Sequence, residues 1–354
     1  MNASTVDTIK SALERLPNLG SISVLPDFFV DRFVRFESLD DLFVEMKSRS
    51  RNGGGGSIRG ITQSEVKGGN AVNLAYSLGT FGANVNLIAI ANSLPSEMLR
   101  STFRSLRNVN LQLVEGAPGF TVAFEFKDTN RHVNVMLSDV GDLKDFDGSK
   151  ISREQWTNIE NSKILAVVNW SANRSGNALC KKAFSFAEER NAMTFFDPAD
   201  ITGQEDRLPE FKREIIDKGL INFMSLNENE ARVMSSVLFN EKLPQNHTLD
   251  DLKHILLKLS DEIGAHVDLH TKKVSLTCHQ NDITETQCFQ VVQKTVTGAG
   301  DVWAAADIIG YLSNLDPSSR LAFANATAGL YVSRESAIPP TADEVLEFMS
   351  TYKI

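Results

Sequence analysis

The stretch Thr295-Val296-Thr297-Gly298-Ala299-Gly300-Asp301 runs straight into Val302-Trp303-Ala304-Ala305-Ala306-Asp307-Ile308-Ile309. Apolar residues at 302, 305, 306, 309 and 312 keep helical spacing, which predicts a helix that starts near Asp301. The glycines before it let the backbone approach a ligand closely and turn several N–H groups outward. Bare amides at a helix N-terminus bind anions, phosphate above all. Asp301 falls in that first turn, where a carboxylate would repel a bound phosphate. Two readings follow. In one, Asp301 takes a proton from an attacking hydroxyl while the backbone of Gly298, Ala299 and Gly300 holds the phosphoryl group. In the other, Asp301 only caps its helix, which Asp does well.

A second glycine segment lies far upstream: Gly68-Gly69-Asn70-Ala71-Val72-Asn73-Leu74-Ala75, closing at Gly79-Thr80-Phe81-Gly82. Ala71, Leu74, Ala75 and Leu78 share one helical face, and Gly82 suits the stop. Gly68 and Gly69 permit close backbone approach. Asn73, on the first turns, offers a donor and an acceptor to a polyhydroxyl ligand. By itself this pattern is equally that of an ordinary turn before a helix.

Around these segments, short apolar runs at 85–90, 164–170, 193–196 and 221–226 alternate with helix-like stretches such as 176–190 and 227–238. Several runs lack alternation, as expected of strands covered on both faces. The rhythm predicts an α/β fold, a doubly wound, mostly parallel sheet with helices on both faces. Two stretches break it. Residues 120–137 alternate on either side of Asp128-Thr129-Asn130 and predict an antiparallel hairpin with one wet face. Residues 28–36 have β character and are followed by a polar stretch and the glycine run at 53–56. Together they form a small β subdomain of residues 29–66 and 119–137, against a large domain of 1–28, 67–118 and 138–354. The glycine run is read as a mobile loop or hinge, because no Gly-Lys-Ser/Thr follows it.

Composition bounds the rest. The 354 residues are 42% hydrophobic and 23% charged, a globular balance that needs no staples to build a core. Cys180, Cys278 and Cys288 are too few and too scattered for a disulfide framework or a thiolate zinc site, which favours a cytoplasmic setting. A net charge of -9 argues against nucleic acid as a partner. No apolar run approaches ~20 residues, so no membrane span is expected. The first residues, with Asp7 and Glu14, lack the apolar region of a secretory signal. His266 and His270 sit four apart on a strand with no Glu beside the first, so they do not read as zinc ligands. There is no Gly-x-Ser-x-Gly for a serine nucleophile, and no Gly-x-Gly-x-x-Gly after the first strand for a dehydrogenase. The cluster Phe28, Phe29, Phe33 and Phe36 reads as core or lid packing, with nucleobase stacking as the alternative.

Taken together, the two glycine segments resemble the signatures of the ribokinase-like (PfkB-type) family of sugar and nucleoside kinases, over residues 22–346. A Gly-Gly-x-x-x-Asn segment in the first third and a Thr-Gly-Ala-Gly-Asp segment near the end have that family's order and spacing. The resemblance implies a doubly wound α/β domain with a small β-sheet lid. It implies ATP-dependent phosphorylation of a sugar or nucleoside hydroxyl, with Asp301 as general base, the backbone of Gly298, Ala299 and Gly300 as anion hole, and Mg²⁺ on the nucleotide phosphates. By the same likeness Asp31, Gly68, Gly69 and Asn73 bind the acceptor, Asp31 ending the first strand in Pro26-Asp27-Phe28-Phe29-Val30-Asp31. Phe196-Asp197-Pro198 matches an Asp-Pro step after a central strand. Asn227 and Glu230, in an Asn-x-x-Glu motif, serve the magnesium and phosphate region through water. Thr297 and Asn325 belong to the nucleotide side. Lids of this family often pair, which implies a homodimer.

Some positions depart from that pattern. Thr295 and Val296 stand where the family has Asp-Thr, which puts potassium dependence in doubt. Trp303 replaces a Phe, and Ala304 and Ala305 replace glycines. The stretch after Ile90 lacks the common Gly-x-Asp. The late strand reads His266-Val267-Asp268-Leu269-His270-Thr271-Lys272-Lys273, without the glycine turn that lines the nucleotide site. These losses leave a non-catalytic sugar- or nucleotide-binding regulator as the rival expectation. A doubly wound enzyme without kinase activity comes third.

Overall fold

The computed structural model describes residues 3–51, 54–128, 131–336 and 338–352. In chain order the strands are β1 (Ser21–Leu25), β2 (Phe29–Arg35), β3 (Thr62–Gly68), β4 (Asn84–Ala91), β5 (Val109–Glu115), β6 (Gly119–Asp128), β7 (Arg131–Asp139), β8 (Ser162–Val168), β9 (Met193–Asp197), β10 (Phe223–Asn227), β11 (His266–His270), β12 (Val274–His279) and β13 (Asp282–Gln287). The helices are α1 (Ala3–Arg15), α2 (Leu39–Arg51), α3 (Asn70–Thr80), α4 (Ser93–Phe103), α5 (Arg153–Ile159), α6 (Gly176–Glu188), α7 (Leu208–Glu214), α8 (Glu228–Phe239), α9 (Leu249–Ile263), α10 (Ala299–Leu312), α11 (Pro317–Val332) and α12 (Ala342–Thr351).

Nine of the strands form one sheet in the order β13-β12-β11-β10-β9-β8-β1-β4-β5. From β5 to β11 every pairing is parallel, and β12 and β13 close that edge antiparallel. The fold is the α/β arrangement that the unbroken apolar runs predict. Those runs pack on both sides: Ile164, Ala166 and Val168 of β8 join one core with α1, α3, α10 and α11, while Leu165 and Val167 join the other with α6 to α9. Strand order reverses at β1, which lies between β8 and β4. A crevice at such a switch point, beyond the carboxyl ends of the strands, is where open α/β sheets bind ligands.

The remaining strands form a separate sheet, β3-β2-β6-β7. Strand β2 pairs antiparallel with β3 and parallel with β6, and β6 pairs antiparallel with β7. Thr129 and Asn130 of the expected turn, and Asn52 and Gly53 at the head of the glycine run, lie outside the described residues. The polar stretch after residue 36 contains helix α2, which has no buried residue. Its apolar residues instead flank an outer hollow of 830 Å³ with the small sheet, lined by Phe43, Met46, Phe124, Phe126, Val135 and Leu137. Phe28 and Phe29 are core residues, and Phe36 stacks on Phe126 with ring centres 5.4 Å apart.

One buried ionic cluster holds α10 in place. Arg320 of α11 bonds Asp268 of β11 at 3.1 Å and Thr277 of β12 at 2.8 Å, and it also bonds Asp307 of α10. Tyr311 of α10 donates to the other oxygen of Asp268 at 2.7 Å. A buried charge needs this much partnering to be tolerated. Among the described residues no helix is long and apolar enough to cross a membrane.

Candidate active site

Helix α10 begins at Ala299, two residues earlier than its apolar spacing suggests, and Gly298 is its N-cap. Gly298 has φ of +82°, which favours glycine, and a Cβ there would press on the Tyr331 hydroxyl at 3.0 Å. Tyr331 of α11 donates to the carbonyl of Thr297 at 2.7 Å and pins the loop from behind. The first N–H groups of a helix have no acceptor within it. Here the Ala299 amide turns back to Val296 O at 3.2 Å, and Val302 is the first to donate along the axis, to Gly298 O. The amides of Gly300 and Asp301 lie between these two.

Asp301 does not cap α10. Its carboxylate accepts from the side-chain amides of Asn70 at 2.8 Å and Asn73 at 3.0 Å, both on α3. Burial holds its carboxyl well above the usual carboxylate range, and the charge of Asp197 adds to the shift, while the two asparagine bonds oppose it. A raised pKa makes a carboxylate a stronger proton acceptor once it is ionised.

The Gly-Gly step builds the neighbouring wall. A Cβ on Gly68 would lie 2.1 Å from an oxygen of Asp31, so only glycine lets that carboxylate occupy its place. Asp31 lies within β2 rather than at the end of the first strand, and burial raises its pKa to about 6. Gly69 has φ of +94°, and a Cβ there would meet Asp27 at 2.9 Å. Asp27 has no exposed surface. It accepts from the backbone N–H groups of Asn70 and Ala71, both at 2.8 Å, and from Asn169 at 2.9 Å. It therefore caps α3 from outside the helix and ties β1 to β8 across the switch point. Lys67, the residue before the glycines, sends its ammonium to Asn73 Oδ1 at 2.8 Å and lies over the Tyr76 ring at 4.8 Å. Burial lowers its pKa to about 8, against the pull of Asp301 and Asp31.

Two hollows meet at the start of α10. The first, of 720 Å³, is lined by Asp31, Lys67, Asn73 and Thr297, with Phe33 and Tyr76 among its apolar walls. The second, of 450 Å³, is lined by Asn227, His270, Gly300, Trp303 and Asn325. Val296 borders both. In the second, Asn325 accepts from the Trp303 indole at 2.9 Å and donates to carbonyls of Thr286 and Gln287. His270, discounted as a zinc ligand, lies against the Trp303 ring with centres 5.0 Å apart, and burial lowers its pKa to about 4. Asn227 caps α8, and both oxygens of Glu230 accept from Asn227, at 2.7 and 2.6 Å. A carboxylate so engaged suits an indirect magnesium role through water. Among the described residues no cluster of three His, Cys, Asp or Glu forms a metal cage. That donor set fits Mg²⁺ carried on phosphates with its own waters.

The family model for pfkB family carbohydrate kinases matches residues 37–344. This chain belongs to that family. Solved structures of pfkB-type kinases share its fold. A ribokinase from Arabidopsis thaliana, complexed with ribose and ATP, is 16% identical, with a TM-score of 0.71 over 94% of this chain and 99% of that one. An adenosine kinase from Sinorhizobium meliloti is 17% identical, at TM-score 0.69 over 91% and 96%. The nucleoside kinase of Methanocaldococcus jannaschii is 18% identical, at 0.65 over 94% and 99%. No curated protein matches in sequence.

Proposed function

We propose that this pfkB-family protein transfers the γ-phosphate of ATP to a hydroxyl of a sugar or nucleoside. The observation that carries the reading is the setting of Asp301: a buried carboxylate in the first turn of α10, held by the amides of Asn70 and Asn73, with Asn73 lining one hollow and Gly300 the other. The acceptor occupies the hollow of Asp31, Lys67 and Asn73, with Gly68 backing Asp31 and Gly69 beside Asp27, and the nucleotide the hollow of Asn227, Thr271 and Asn325. Asp301 takes the proton of the attacking hydroxyl. The loop of Gly298, Ala299 and Gly300 receives the phosphoryl group, where the amide dipoles offset its charge. Mg²⁺, bound on the phosphates and reached from Glu230 through water, supplies charge neutralisation.

The small sheet acts as a lid over the acceptor, since β2 and β3 contribute Asp31 and Lys67 to its hollow. Closure would exclude water as a competing acceptor. Strands β6 and β7 expose Phe120, Val135, Met136 and Leu137, which favours pairing of two lids into a homodimer. Neither nucleic acid nor membrane is part of the proposal, and a cytoplasmic setting suits it. The acceptor wall is polar at Asp31 and Lys67 and apolar at Phe33, Val66 and Val133, so a nucleoside fits it as well as a sugar does.

A turnover assay with ATP, Mg²⁺ and a panel of sugars and nucleosides tests the reading. ADP release that depends on one acceptor is expected. Tight binding of an acceptor or nucleotide, with no ADP formed from any pairing, would instead make this chain a regulator.

A further inference from the structure

The most confined cation of the acceptor hollow is Lys67, and its partner is not a carboxylate. Its ammonium donates to Asn73 Oδ1 at 2.8 Å, and Asn73 Nδ2 donates to Asp301 Oδ2 at 3.0 Å. An ammonium has only donors and a carboxylate only acceptors. An asparagine amide between the two has one workable orientation, with its oxygen to Lys67 and its NH₂ to Asp301. Lys67 and Asp301 thus favour the same orientation of the amide, and without the lysine only the carboxylate holds it.

We propose that Lys67 is a positioning residue for Asp301: it fixes the Asn73 amide and keeps a positive charge beside the general base. The proposal rests on the kinase reading above. Charge in the surroundings makes the role specific. Asp301 is faced by Asp27 and Asp197, both acidic, and by the neutral phenol of Tyr331 on α11. Lys67 is faced by Asp31 and Asp301. His270, beside Gly300, is neutral near pH 7. Elsewhere in the hollow, Glu125 is paired with Arg35 at 2.6 Å and Lys294 with Glu335 at 3.7 Å. Lys67 is thus the cation that answers a cluster of carboxylates. A nearby cation favours the ionised form of a carboxylate, and Asp301 must be ionised to accept a proton.

The test compares Lys67→Met, which keeps length and loses charge, with Lys67→Arg, which keeps charge. In Lys67→Met, kcat at pH 7 is expected to fall by about tenfold or more with the nucleotide KM nearly unchanged, and the acid limb of kcat to move to higher pH. In Lys67→Arg the limb stays near its wild-type position. Carboxyl-carbon NMR of Asp301, assigned by loss of its signal in Asp301→Asn, gives a readout free of turnover: its titration moves to higher pH in Lys67→Met. An unmoved Asp301 titration overturns the proposal, even where kcat falls. If wild-type protein turns over no acceptor, the kinase reading fails, and the NMR titration still decides whether Lys67 governs Asp301.

Discussion

At the scale of single residues, burial raises the pKa of both Asp31, in the wall of the acceptor hollow, and Asp301, behind Asn73, but their surroundings differ. Asp301 spends its oxygens on two asparagine amides. Asp31 lies beside Gly68, where a substrate hydroxyl would meet it, with its pKa pushed up to about 6. Ionised Asp31 accepts hydrogen bonds at both oxygens, and protonation removes the charge and one acceptor. The acceptor KM is therefore expected to rise as pH falls through about 6, and Asp31→Ala to raise it by about tenfold or more at pH 7 with little change in the nucleotide KM. Equal effects on both substrates, or none, would remove Asp31 from the acceptor site. Sequence motifs name Asn73 and Asp301, which follow glycine segments, and Asp31, which ends the string at 26–31. They give no role to Asp27 or Lys67. Asp27 lies within a matching string, yet its work as an external cap of α3 depends on the chain returning from β3. Lys67 looks like any polar residue of an exposed strand, and only the closeness of Asn73 and Asp301 gives it a function.

At the scale of elements, the unbroken apolar runs report buried parallel strands faithfully, because both faces of β4, β8 and β10 are covered. Helix α2 is not legible in the sequence because it buries nothing: Leu39, Leu42, Phe43 and Met46 keep helical spacing but read as a polar stretch among Asp, Glu, Lys and Arg. The start of α10 is misplaced by two residues because Gly298 and Gly300 carry no periodic signal, and the cap is a backbone conformation rather than a side chain. The small sheet has one wet face, so its hydrogen bonds should open more readily than those of the large sheet. Faster amide exchange is expected in β2 and β6 than in β1 and β8 without ligand, with protection of β2 and β6 when acceptor binds. Protection limited to residues 298–301 would argue that the small sheet does not close over the substrate.

At the scale of the whole molecule, the strand reversal at β1 brings the end of β1, the return from β3 and the start of α10 to one crevice, and this is why residues 27, 73 and 301 meet. Of the departures from the family pattern, Thr295 borders the hollow of Asp31 and Asn73 and the turn after β11 borders the hollow of Asn227 and Asn325, while Asp301 is left in place. The account therefore stands or falls on Asp301. Because Gly298 rather than Asp301 caps α10, Asp301→Asn removes the proton acceptor without removing a helix cap, and its carbonyl still accepts one asparagine bond. The deciding measurement is acceptor-dependent ADP formation by Asp301→Asn beside wild type, with nucleotide binding and melting temperature followed in parallel. The account predicts a loss of about 10²–10⁴-fold in kcat with nucleotide binding and folding retained. Turnover near the wild-type rate would contradict it.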